Sequence, residues 1–117
     1  MNATQFVKSL YTSVDRKDLK GLASKLDDNV CFKFSNHDAV NGIEDVLQAN
    51  ESFFSSISSM RHTLNGIWQQ DDTLICNGQV HYVRLDGTEH SAEFATVLTM
   101  RNEKIVNYLI YADVSEL

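Results

Sequence analysis

The feature that most constrains the fold of this chain is its second half, which reads as consecutive strands separated by short turn signals. The strand-like segments cover residues 60–70, 73–85, 88–100 and 104–113, and the turns between them are QDDT, DG and RNE. Strands that follow one another through such short turns pair antiparallel. This half of the chain therefore predicts an antiparallel meander rather than parallel strands joined by crossover helices.

The first half begins with two helical patterns. Apolar residues recur at helical spacing in residues 3–15 and again in residues 18–27. Asn2 and Asp18 stand where each helix would need a side-chain cap. Only two residues join the two patterns, so they predict a short helical hairpin.

A strand and a third helix follow the hairpin. The segment VCFKFSN, residues 30–36, alternates apolar and polar residues and predicts a strand with one buried face. Asn41, with Glu44 three residues later, matches a capping box before a helix over residues 42–58. The predicted order is ααβαββββ, an α+β fold in which residues 1–117 form a single domain.

Composition excludes several functions and predicts a compartment. The net charge is −6 and the 10 basic residues are scattered, which argues against a nucleic-acid partner or a membrane-surface helix. No apolar run reaches the roughly 18 residues of a membrane span. The N-terminus also lacks the apolar run of a signal peptide, so a cytoplasmic protein is expected. Cys31 and Cys76 have no metal-ligand spacing, so two free thiols and no metal site are expected.

The hairpin over residues 73–100 carries an unusual mixture of side chains on each face. A two-residue turn at Asp86-Gly87 would place His81 opposite Ala92 and Gln79 opposite Phe94. That face mixes apolar groups with an imidazole and an amide, which suits a concave sheet around a ligand cavity. The other face is half apolar, which predicts a homodimer through the outer side of the sheet.

Four segments together resemble the SnoaL-like and ketosteroid-isomerase-like members of the nuclear transport factor 2-like superfamily. They are DRKDLKGLASKLDDNV, NGIEDV, the strand–DG–strand hairpin, and KIVNYLIYAD in the last strand. The resemblance implies a cystatin-like cone, in which a curved antiparallel sheet wraps around three helices and leaves a pocket at its open end. It does not imply one activity, because a fold of this kind hosts many chemistries.

The catalytic residues of ketosteroid isomerases are not matched. The resemblance would place their Asp base at Phe34 or Lys33, their Tyr donor at Leu10 with Tyr11 beside it, and their second acid at Thr96. The acid of epoxide-hydrolase-like relatives would fall near Ile110. Steroid isomerisation by the known mechanism is therefore not expected, while the cavity is.

Four residues are the candidates for general acid–base chemistry. His81 leads, because it would lie mid-strand on the pocket face and a histidine titrates near neutral pH. His62, near the start of a strand, has two interpretations: a residue of the functional site, or a histidine with only a structural role. Tyr108 and Asp113 depend on the RNE turn. A two-residue loop turns Asp113 inward, a three-residue loop turns Tyr108 inward, and the resemblance favours the latter.

We therefore expect a small apolar organic molecule as ligand, and no cofactor. The expected lining residues are Phe32, Phe34, Phe54, Gln79, Phe94, Thr96 and Ile110. The protein would be an isomerase, cyclase or dehydratase with His81 as the acid–base residue. The alternatives are a non-catalytic ligand-binding module and a protein-interaction domain.

Overall fold

A computed structural model describes residues 1–117 as three helices and one six-stranded sheet. The helices are α1 (Ala3–Asp15), α2 (Leu19–Ala23) and α3 (Ile43–Ser56). The strands are β1 (Leu26–Phe34), β2 (Val40–Asn41), β3 (Ile57–Gln70), β4 (Thr73–Arg84), β5 (Glu89–Arg101) and β6 (Lys104–Ala112). No helix is long and apolar enough to cross a membrane.

The sheet is curved and unclosed, with the strand order β2-β1-β6-β5-β4-β3. Neighbouring strands pair antiparallel except β1 and β6, which are parallel. The helices pack against its inner face, so the predicted α+β cone is confirmed. The two-residue strand β2 was not predicted from the sequence.

The helix ends agree in part with the sequence. Asn2 caps α1 by accepting a 3.0 Å hydrogen bond from the backbone N of Gln5, and Asp18 caps α2 in the same way. However, α2 ends at Ala23, because Leu26 already pairs with β6. The capping box before α3 was wrong, since Asn41 belongs to β2 and α3 begins without a side-chain cap.

The core lies between the helices and the inner face of the sheet. Both amphipathic helices turn one stripe towards it, as the sequence predicted. The buried helical residues include Val7, Leu10, Tyr11, Val14, Val46 and Phe54. The buried strand residues include Phe32, Leu74, Cys76, Val80, Tyr82, Phe94, Thr96, Leu98, Ile105 and Tyr108. Both cysteines are free, with Cys76 buried and Cys31 half-buried.

The β4–β5 turn differs by one residue from the prediction. The loop contains Leu85, Asp86 and Gly87, because the backbone N of Arg84 bonds the Thr88 carbonyl and Gly87 adopts a φ of +86°. This is the three-residue hairpin in which a glycine takes the left-handed position. A shift of one residue turns the other face of β4 inward, because side chains alternate along a strand.

In the β5–β6 hairpin, the predicted facing of the strand is correct although the expected loop length is not. Its loop has two residues, Asn102 and Glu103, both at positive φ, which on its own would turn Asp113 inward. An irregularity after Thr99 then shifts the register by one residue, so Leu98 lies opposite Tyr108. The inward facing of Tyr108 that the resemblance favoured is therefore confirmed, although a bulge rather than a longer loop produces it.

Candidate functional site

An apolar cleft of about 620 Å³ opens at the wide end of the cone. Three parts of the chain form it: the end of β1 with the loop after it, the inner side of α3, and residues 113–117. Its wall includes Phe32, Phe34, Val40, Phe53, Val114 and Leu117. Clefts of this volume with mostly apolar walls are typical of small-molecule sites.

A much smaller void lies deeper in the cone. It has a volume of about 20 Å³, which is room for about one water molecule. The cleft and the void share Phe34, Asn50 and Phe53 in their walls. The rings of Phe34 and Phe53 lie 5.1 Å apart, so this aromatic pair separates the open cleft from the interior.

His62 and Asp15 form a paired group beside the void. The Nδ1 atom of His62 lies 2.5 Å from Oδ1 of Asp15, and the backbone N of His62 donates to Oδ2 at 2.9 Å. The two side chains are only 9% and 23% exposed. One carboxylate therefore fixes both the ring and the backbone of His62, and the Nε2 atom is the polar atom left for a ligand.

Tyrosines surround this pair. The Tyr11 ring lies 4.4 Å from the His62 ring, and its hydroxyl lies 2.5 Å from that of Thr96. Burial raises the pKa of Tyr11 and of Tyr108 well above the ordinary value, and each hydroxyl lies close enough to affect the other. Burial also raises the pKa of the Cys76 thiol to about 11, so this thiol is not a reactive nucleophile.

Tyr82 lies on the same inner face, and both its burial and the charge of the Asp15 carboxylate affect its pKa. Burial, and secondly the charge of Asp15, raise its pKa to about 12. Its ring is 5.9 Å from that of Phe53, at the wall of the void. At neutral pH Tyr82 therefore keeps its proton and can donate a hydrogen bond to a bound molecule.

The structure places the leading sequence candidate outside the cavity. His81 lies opposite Ser91 instead of Ala92, so its ring points to the outer face of the sheet. There it is 35% exposed, with Ser91 at 2.8 Å and Glu89 at 2.8 Å. Gln79 is exposed on the same outer face. The inward placement of both residues was wrong because the turn has three residues rather than two.

The other sequence candidates divide between the interior and the surface. His62 and Tyr108 line the void, as do Phe34, Phe54, Phe94 and Ile110, whereas Phe32 lines the cleft. Thr96 is fully buried and faces inward next to Cys76. Asp113 is exposed, and hydrogen bonds from Ser115 lower the pKa of its carboxyl. No group of three or more metal-ligating side chains is present.

Sequence reasoning missed Asp15, Asn50 and Tyr82 and only touched on Tyr11. Asn50 carried a visible signal, because it is a polar residue on the apolar stripe of α3 between Val46 and Phe54. Asp15 carried only a weak signal: it is the last residue of α1, where a negative charge opposes the helix dipole. At the position where the resemblance aligned a Tyr donor with Leu10, it is the neighbouring Tyr11 whose hydroxyl reaches the sheet, at Thr96.

Comparison with known proteins identifies the family. Residues 7–108 match the SnoaL-like domain model, which is most of the chain. No significant match is found among curated protein sequences.

Solved structures show the same fold at low identity. A nuclear transport factor 2-like protein of unknown function from Burkholderia pseudomallei K96243 has a TM-score of 0.89 and 19% identity, covering 99% of this chain and 94% of its own. A protein described as a SnoaL-like polyketide cyclase from Jannaschia sp. CCS1 has a TM-score of 0.85 and 13% identity, covering 97% and 87%.

An epoxide hydrolase from M. tuberculosis has a TM-score of 0.83 and 11% identity, covering 97% of this chain and 84% of its own. At such identities the likeness concerns the fold rather than the chemistry. The match over residues 7–108 nevertheless shows that the chain belongs to the SnoaL-like family, within the nuclear transport factor 2-like fold.

Proposed function

We propose that this protein binds a small, largely apolar molecule in the cleft and moves a proton on it, as an isomerase, cyclase or dehydratase does. The observation that carries the proposal is the Asp15–His62 pair, 2.5 Å apart, whose histidine lines the small void behind the apolar cleft. The named relatives, a polyketide cyclase and an epoxide hydrolase, are compatible with this class of activity.

His62 acts as the general base in this proposal. With the Nδ1 proton directed at Asp15, the neutral ring presents the lone pair of Nε2 to the ligand. Asp15 holds the ring in this tautomer and stabilises the imidazolium that forms when Nε2 takes a proton. Tyr82 donates a hydrogen bond to the oxygen on which negative charge develops.

The cleft supplies the binding energy and keeps water away. The aromatic pair Phe34–Phe53 packs over the entry to the void, so the reacting end of the ligand must displace or pass these rings. Val114 and Leu117 add apolar wall to the cleft, and Arg84 holds their segment by donating a 2.7 Å hydrogen bond to the Glu116 carbonyl. Because the His62 side chain is only 9% exposed, few waters compete for it.

Proton exchange tests the catalytic part without knowledge of the substrate. The protein is mixed with a bicyclic ketone such as 1-tetralone in D₂O, and deuterium uptake at the α carbon is followed by NMR. We expect His62→Gln to lower the protein-dependent rate by at least about a hundredfold. His81→Gln is the matched control and should leave the rate unchanged. Equal rates for wild type and His62→Gln would remove the catalytic role.

A non-catalytic binding module is the second candidate. The observation that favours it is the small size of the void, which leaves room for only about one water beside His62. Such a module would bind the ketone with similar affinity in wild type and His62→Gln, and neither protein would exchange the proton. Binding measured in parallel by NMR titration therefore separates the two candidates.

We also propose the homodimer that the sequence predicted, through the outer face of the sheet. Trp68, Ile75 and Tyr111 are 55%, 39% and 55% exposed and all lie on strands of this sheet. Light scattering coupled to size exclusion should give a dimer, and Trp68→Glu should shift it to monomer. A monomeric wild type at the highest soluble concentration would contradict the proposal.

A further inference from the structure

Asn50 is a polar residue in a position that the fold would fill with an apolar one. It is 7% exposed, and its neighbours one turn away on the same stripe, Val46 and Phe54, are buried. Its Nδ2 donates a 2.9 Å hydrogen bond to the Val46 carbonyl. Because a carbonyl can only accept, this bond fixes the orientation of the amide: Nδ2 faces the helix backbone and Oδ1 faces away from it.

No protein group donates a hydrogen bond to Oδ1 of Asn50. The only fully enclosed side-chain nitrogen or oxygen without a partner is Nε2 of His90, so Oδ1 of Asn50 still reaches open space. Asn50 borders both the cleft and the void. Its Oδ1 is therefore an unused acceptor at the junction where a ligand passes from the cleft towards His62.

The charges near this junction favour a neutral ligand. No lysine or arginine lines the cleft or the void, whereas Asp38 lies at the mouth and Asp15 lies behind His62. In its neutral tautomer His62 offers a second acceptor, and Tyr82 offers a donor. An anionic ligand would meet acceptors and carboxylates, with His37 at the cleft but no lysine or arginine to compensate its charge, and its burial would be costly.

We propose that Asn50 is a specificity residue whose Oδ1 accepts a hydrogen bond from a hydroxyl of a neutral ligand. The ligand class is an alcohol or phenol with an apolar body that fills the cleft. This inference rests on the proposed binding function and adds which polar group the ligand carries. The role is one of recognition and positioning, since Asn50 takes no part in proton transfer.

Three probes with the same bicyclic ring system test this assignment: naphthalene, 2-naphthol and 2-naphthoate, each titrated into the protein at pH 7 and followed by NMR. We expect 2-naphthol to bind the wild type about tenfold more tightly than naphthalene and 2-naphthoate. The ¹³Cγ resonance of Asn50 should shift with 2-naphthol and not with naphthalene, which reports the hydrogen bond directly.

Asn50→Leu should remove the preference without harming the fold. This variant removes the acceptor that position 50 provides, so 2-naphthol should bind no more tightly than naphthalene. The melting temperature should stay the same or rise, because an apolar side chain replaces a buried amide. Ser56→Ala is the matched control. Ser56 also lines the cleft, but its hydroxyl already donates to the Phe53 carbonyl at 2.6 Å.

Each remaining outcome decides the question. A preference that survives in Asn50→Leu, or equal binding of 2-naphthol and naphthalene to the wild type, would overturn the role of Asn50 while leaving the binding function intact. Failure of all three probes to bind would overturn the binding function and this inference with it. Asn50→Ala removes the same acceptor with less bulk and serves if Asn50→Leu does not fold.

Discussion

The two faces of the sheet each carry a histidine paired with a carboxylate, and the pairs differ in nearly every physical respect. On the inner face, His62 and Asp15 are 9% and 23% exposed and join a strand to a helix. On the outer face, His81 and Glu89 are 35% and 67% exposed and belong to one hairpin. Both pairs consist of a histidine and a carboxylate, so the position of each pair in the fold decides what it can do.

The comparison shows why the inner pair is the better candidate for chemistry. A carboxylate in a poorly solvated site acts strongly on its neighbours, and Asp15 contributes to the raised pKa of Tyr82. Glu89 lies in water, which screens its charge. In addition, both ring nitrogens of His81 are occupied by Ser91 and Glu89, whereas His62 keeps Nε2 free for a ligand.

Loss of Asp15 should give the largest effect. Asp15→Ala leaves the Nδ1 and the backbone N of His62 without partners in a poorly solvated position. We expect the free energy of unfolding to fall by about 3 kcal/mol. Urea denaturation followed by circular dichroism measures the loss. Asp27→Ala is the control, because Asp27 is 22% exposed and also accepts from a backbone N, that of Asn29, but its charged partner at 3.6 Å, Arg101, is 61% exposed. Similar losses for both variants would contradict the special status of the inner pair.

Alkaline pH should weaken the fold through Tyr82. Burial and the Asp15 charge raise its folded-state pKa from 10.0 to about 12, so the neutral phenol stabilises the protein below pH 10. That contribution is lost as the pH rises from 10 to about 12, and is on the order of 2 kcal/mol. The free energy of unfolding should therefore fall less steeply with pH in Tyr82→Phe than in wild type.

Absorbance titration of tyrosinate gives the control for this prediction. In Asp15→Asn the carboxylate charge is gone, so Tyr82 should ionise at lower pH than in the wild type. If the two proteins titrate identically, Asp15 does not act on Tyr82.

The turn that directs His81 outward should respond to a change at Gly87. Its φ of +86° lies in the left-handed region, which an alanine adopts only with strain. Gly87→Ala should cost about 1 kcal/mol in the free energy of unfolding, measured by urea denaturation. Gly87→Asn should cost less, because asparagine tolerates this region. Equal stability of Gly87→Ala and wild type would argue against the left-handed conformation at Gly87.

The smallest effect is expected on the outer face. Glu89→Gln removes the charge next to His81 in a pair that is largely exposed. The free energy of unfolding should change by less than about 0.5 kcal/mol, and proton exchange on the bound ketone should not change. A loss comparable to that of Asp15→Ala would show that exposure does not separate the two pairs.

Much of the fold was predictable because local patterns encode it. The apolar spacing of residues 3–15 predicted α1, the alternation in residues 30–36 predicted part of β1, and Asn2 predicted a cap. The beginning of β1 at Leu26 was missed, because LDDN is polar and becomes a strand only by pairing with β6. The cleft was expected from the resemblance, and two of the predicted lining residues, Phe32 and Phe34, do line it.

The amino-acid sequence by itself determined that this chain forms an amphipathic helical layer on an antiparallel meander. The reason is that the helical spacing and the strand alternation of apolar residues are properties of the local sequence. Only the tertiary structure decided which histidine faces the interior. One extra residue in the loop before Thr88 turns His81 outward, since side chains alternate along a strand. The fold also brings Asp15 to His62 across 47 residues of chain, a contact that no local pattern encodes.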